Sequence, residues 1–300
     1  MSPTMPKITP HLWFDREAKE AAGFYTSLFE TSKITSLTTL HNTPSGDCDV
    51  VSFELARQPF MAISAGPLFK FNPSISFHVK CRTTAEVDAL WAKLSEHGKV
   101  LMELGQYPRS ERFGWVQDKY GLSWQIISTG GTAITQTITP VLMFVGVVCG
   151  KAEAAVTFYT SVFHDSKVGQ VIRHGKGEDP EKEGTVQYAN FTLQGQDFGA
   201  MDSAREHGFG FNEAISLMVR CATQDEIDYY WGRLTQGGDP RAQQCGWLKD
   251  KYGVSWQVIP VILGELLQGK DPKRAARVTE AFLKMKKFEI AELERAYEGS

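Results

Sequence analysis

The residues of this chain best suited to chemistry are two imidazoles and two amides, each set in an apolar, strand-like stretch. His11 stands in "ITPHLWF" and His78 in "SISFHVKC", while Gln125 and Gln257 stand in "DKYGLSWQII" (118–127) and "DKYGVSWQVI" (250–259). Neutral imidazole serves either as a ligand to a divalent metal or as a hydrogen-bonding group for a polar molecule. A glutamine amide is a weak metal ligand, but its donors and its acceptor must all be satisfied where it is half-buried. His11, His78 and Gln125 therefore have two readings: a set of hydrogen-bonding pocket residues, which leads, or a weak two-histidine metal site. Gln125 and Gln257 either orient a small polar ligand or bond across to a neighbouring strand, and the two alternatives stand level.

Other groups could complete such a pocket. Ser76 and Ser216 hold matching places in "FNPSISFHVKC" and "FNEAISLMVRC", and add hydroxyls. Trp13, Trp115 and Trp247 offer aromatic surface, although core packing explains such residues equally well. The segment "YPRSERFGW" carries Tyr107, Arg109 and Arg112, where the later copy reads only "PRAQQCGW". Two guanidinium groups there could form a lid over an anionic ligand, against the plainer reading of a solvated loop.

These residues recur because the chain is written twice. "ITPHLWF" returns as "ITPVLMF", and "FYTSLFETSKI" returns as "FYTSVFHDSKV", in unchanged order. Two copies of this length are two like modules rather than a solenoid. The first spans 5–129 and the second 138–262, joined by the polar "TGGTAITQT"; a helical tail occupies 263–300. Each module reads as strand, helix and three strands, followed by a shorter repetition of that order. Strand alternation sends Leu12, Phe14, Ile75, Phe77, Val79, Cys81, Trp124 and Ile126 toward the helices. It turns Thr9, His11, Trp13, Ser76, His78, Lys80, Ser123 and Gln125 toward a cleft, which His11 and His78 of the first module would share. Their counterparts, Val141 and Met218, could not repeat that arrangement.

The combination of "ITPxLxF", "EAxxFYTSxF", "FNxxISxxVxC" and "GWxxDKYGxSWQ" resembles the vicinal oxygen chelate superfamily of glyoxalases, extradiol dioxygenases and bleomycin-resistance proteins. More closely it resembles the PhnB-like branch of that superfamily. The resemblance implies an α+β fold of tandem βαβββ modules, with curled mixed sheets, helices on the outer face and a concave face open to a ligand. Metal-dependent members hold a divalent ion with His and Glu on equivalent strands. The matching positions here are Gln125 and Gln257, Ser76 and Ser216, and, near the remaining carboxylate position, Ser64 and Asp202. The standard ligand set is therefore absent from both modules. The branch also carries a 3-demethylubiquinone methyltransferase label. The sequence lacks the glycine-rich turn between a parallel strand and a helix that a nucleotide-like cofactor would favour.

Composition narrows the partners. The net charge of −3 over 300 residues leaves no basic footprint for nucleic acid. The longest apolar run, "VLMFVGVVCG", is about half of a membrane span. Five dispersed cysteines form no CxxC pair, which fits free thiols in a reducing, cytoplasmic setting. The expectation is a monomeric or homodimeric protein that binds a small polar or aromatic molecule without a cofactor. The alternative is a lyase, isomerase or dioxygenase using a divalent metal at His11 and His78. A purely structural role is a third reading, for the second module.

Overall fold

The computed structural model describes residues 6–108, 110–269 and 271–299. The first repeat begins with β1 (Ile8–Phe14), α1 (Ala18–Leu28), β2 (Lys33–Thr43), β3 (Gly46–Leu55) and β4 (Gln58–Ser64). It continues with β5 (Ile75–Cys81), α2 (Thr84–Ser95), β6 (Lys99–Tyr107), β7 (Ser110–Gln117) and β8 (Ser123–Ser128). The second repeat opens with β9 (Ile138–Val145), α3 (Ala152–Val162), β10 (Lys167–Arg173), β11 (Val186–Leu193) and β12 (Gln196–Ser203). It ends with β13 (Ile215–Cys221), α4 (Gln224–Leu234), β14 (Trp247–Lys249) and β15 (Ser255–Pro260). Where the first repeat has β6, the second has a single helical turn, Pro240–Ala242. Three helices follow: α5 (Ile262–Leu267), α6 (Pro272–Leu283) and α7 (Ile290–Glu298).

Local sequence starts these elements. The Thr83 hydroxyl accepts from the Glu86 amide, while the Glu86 carboxylate reaches back to the amide of Arg82. Thr223 and Glu226 repeat that capping at the start of α4. The "DKYG" turn is held by a buried carboxylate. Asp118 accepts from the amides of Tyr120 and Leu122 and from the indole of Trp124, at 2.9, 3.1 and 2.8 Å. Asp250 does the same for Tyr252, Val254 and Trp256. Both tryptophans are fully buried. The most closely repeated stretch of the sequence is thus a turn that anchors a core indole.

The sheets do not follow the repeats. One runs β14-β15-β13-β1-β4-β3-β2 and the other β10-β11-β12-β9-β5-β8-β7-β6. In the middle of the first, β1 pairs antiparallel with β13, setting His11 opposite Ser216. In the middle of the second, β5 pairs antiparallel with β9, setting His78 opposite Thr139. Each half-repeat alone would leave the edge of β1 or β5 with unpaired backbone groups, and the half-repeat of the other module satisfies them. Two compact units result: residues up to 26, 32–69 and 212 onward, and residues 27–31 and 70–211. Helix α4 covers the outer face of the first sheet, and α2 and α3 that of the second. The expectation that His11 and His78 share one cleft is corrected here, because the interlaced pairing puts them on different sheets.

Candidate functional site

On β1, Ile8, Leu12 and Phe14 are buried on the helix side, and His11 and Trp13 point to the opposite face. The register brings Met218 opposite Gln257, and Gln257 opposite Trp247, on that same face. With Leu263 and Leu267 of α5, and with Phe282 and Phe288 of the tail, they line a cavity of about 220 Å³. The Trp247 ring meets His11 edge-on at 5.4 Å and Trp13 at 6.0 Å. The Trp13 indole is fixed by its bond to the Gly66 carbonyl, at 2.8 Å.

His11 is only 4% exposed, and its Nδ1 has no hydrogen-bond partner among the described residues. Burial away from water holds its pKa down to about 3, so the ring is neutral at physiological pH. Thr9 Oγ1 and Ser255 Oγ are likewise buried and unpartnered among the described residues. Gln257 donates to the Ser216 hydroxyl at 2.8 Å, and Gln125 donates to Ser76 at the same distance. Both glutamines therefore bond to the neighbouring strand, and the amide of Gln257 also lines the cavity. Among the described residues around this cavity, none carries a charged side chain.

The tail closes the cavity through a tight turn. Gly246 has φ of 78°, and a Cβ there would lie 2.4 Å from the Phe288 ring. The amides of Cys245 and Gly246 donate to the carbonyls of Met285 and Lys286 at 2.8 and 2.7 Å. Gln224 brackets the next stretch, donating to Phe288 and accepting from Ile290. Gly246→Ala is expected to cost about 2–3 kcal/mol, combining left-handed strain with overpacking against Phe288. Limited proteolysis should then release the tail faster than in the parent chain; equal cleavage rates would refute this account of the turn.

The second sheet presents Ser76, His78, Gln125 and Trp115 on its matching face, with the Trp115 indole bonded to Ser123 at 2.7 Å. Tyr188 takes the place that Val50 holds in the first sheet, and Gly199 the place of Met61. A Cβ at Gly199 would come within 2.8 Å of the Tyr188 hydroxyl, so the glycine makes room for that ring.

Arg112 does not take the place expected of it in an arginine lid. Arg112 lies on the helix side of β7, in line with Gly114 and Val116, and its guanidinium bonds Asp88 of α2 at 2.7 Å. Strand alternation therefore turns it away from the cleft. The Tyr107 hydroxyl donates to the Glu103 carbonyl. Arg109 lies outside the described residues.

The metal that the fold family implies does not match the residues present. The register partners of His11 are Ser216 and Met61, with Met218 and Gln257 beside them, and none of these is a carboxylate. Among the described residues, no three His, Cys, Asp or Glu side chains converge as ligands would. Asp202 is committed elsewhere: it accepts from the amides of Gly150, Ala152 and Val186, fixing the start of α3. Ser64 accepts from Ala18 and does the same for α1. Sequence reasoning missed Asp118 and Asp250, although the paired "DKYGxSW" was the signal. It also missed Phe282 and Phe288, whose only sign was an apolar position in a polar tail.

The curled mixed sheets with outer helices define a glyoxalase-like fold. A family model described as 3-demethylubiquinone-9 3-methyltransferase matches residues 6–127 and again 136–259, and the chain belongs to that family. A PhnB protein from Bacillus cereus is 42% identical over 41% of this chain and 100% of its own, with a TM-score of 0.39. A protein from Staphylococcus aureus is 34% identical over 41% of this chain and 97% of its own, with a TM-score of 0.18. Glyoxalase I from Zea mays aligns with 84% of this chain and 93% of its own at 11% identity and a TM-score of 0.53, a likeness of fold. No curated protein matches the chain. Among the described residues, no helix is long and apolar enough to cross a membrane.

Proposed function

We propose that the first unit binds a small, uncharged aromatic molecule bearing a hydroxyl or carbonyl group, and that it does so without a metal. The observation that carries this reading is the Nδ1 of His11, without a partner among the described residues and buried in a cavity walled by Trp13 and Trp247. A neutral imidazole supplies one hydrogen bond, the indole walls supply stacking surface, and the uncharged lining favours a neutral ligand. The histidine–glutamine–serine face does not supply the ligands that a metal-dependent lyase, isomerase or dioxygenase would use.

The test is titration of tryptophan fluorescence with 4-hydroxyacetophenone, with benzoate as the charged control. Saturable quenching by the neutral probe alone is expected. Trp247→Ala and His11→Phe should each weaken it by about tenfold, through lost ring contact or a lost buried hydrogen bond. Absence of saturation, or equal binding of benzoate, would remove the proposal.

A further inference from the structure

The second unit carries a different cavity, of about 380 Å³, which includes Lys80, His78, Thr139, Lys167, Tyr188 and Asp197 in its lining. Three of its polar atoms are buried with no partner among the described residues: both ring nitrogens of His78, and Oγ1 of Thr139, which is only 3% exposed. Buried polar groups in a folded protein are nearly always bonded, so three such atoms on one wall mark a place for a ligand's polar atoms. Lys80 sits 3.6 Å from Asp197, and Lys167 adds a second ammonium on the edge strand β10. Two ammonium groups against one carboxylate leave the cavity one positive charge in excess, unlike the uncharged cavity of the first unit. The Tyr188 ring lies edge-on to His78 at 6.2 Å and supplies an aromatic wall.

We infer that this cavity is a second ligand site, for a small carboxylic acid that also bears a hydroxyl or carbonyl oxygen. Its carboxylate lies against Lys80 and Lys167, and its second oxygen bonds His78 and Thr139. Burial and the nearby Lys80 ammonium hold His78 down to a pKa of about 4, so the ring stays neutral at physiological pH and offers one donor and one acceptor. The site is independent of the one proposed for the first unit, because the two differ in lining charge and in residues.

The experiment uses the full chain with ¹³C-labelled histidine, titrated with salicylate and with its neutral analogue salicylamide. Salicylate is expected to shift the His78 ring signals saturably, and salicylamide to bind about tenfold more weakly for want of the charge-assisted bond. Lys167→Met, an exposed edge-strand change that spares the core, should bring the two probes to similar affinity. Thr139→Val should weaken both. Equal binding of the two probes by the parent chain, salicylate binding unaltered in both variants, or no shift at His78 would each overturn the inference.

Discussion

Replacing Asp118 or Asp250 by alanine lowers stability by about 3–5 kcal/mol in each case, the largest effect expected of any single substitution considered for this chain. Each aspartate is only 3% exposed, and its carboxylate accepts from two turn amides and from a core indole. Alanine leaves the buried amide of Leu122 or Val254 and the core indole without this acceptor, and each carries a desolvation cost. Asp118→Asn keeps one acceptor oxygen, so its stability should fall between those of the parent and the alanine variant. Denaturant unfolding followed by tryptophan fluorescence reads the change. A loss below about 1 kcal/mol would mean that the turn forms without its carboxylate.

Acidification from pH 6.5 to pH 4 should destabilise the protein through the buried His11 and the half-buried His78. The sign follows from the direction of the shifts. Burial lowers the folded-state pKa of His11 to about 3 and of His78 to about 4, both below the ordinary value of 6.5. The unfolded chain therefore takes up protons first as pH falls, and stability declines through that window rather than rising. For His11, nearly inaccessible to water, the contribution by pH 4 is about 3 kcal/mol. That of His78 has the same sign and is smaller, because its pKa is lowered less. His11→Leu should flatten the decline between pH 6.5 and 4 whatever it does to stability at neutral pH. An unchanged slope in that variant would show that His11 is not held neutral by burial.

Although β2 and β6 were not, the repeat, the outline of the strand–helix order and the faces of β1, β5 and β8 were legible in the sequence. They depend on local rules: period-two alternation placed His11, Trp13, His78 and Gln125 opposite the apolar set. The missing carboxylates at Gln125 and Gln257 were equally plain, since residue identity needs no coordinates.

Pairing partners lay beyond that reach. A strand's alternation says which side chains share a face, but not which edge lies beside it. β1 could have met β5 of its own repeat, and only the fold seats it against β13. That single choice separates His11 from His78 and gives each histidine its own sheet. It also joins Trp13 of the first repeat to Trp247 of the second around one cavity. Arg112 departs from expectation for a related reason: its insertion suggested a loop, whereas β6 and β7 form a hairpin whose alternation turns the guanidinium to Asp88. The tail's part in closing the cavity rests on contacts with Gly246 and Gln224, distant in the chain, which no local pattern encodes. The sequence by itself determined the modules, their faces and the absence of the usual ligands. The tertiary structure decided which faces meet, because strand pairing between distant segments is set by the burial of whole sheets rather than by any one strand.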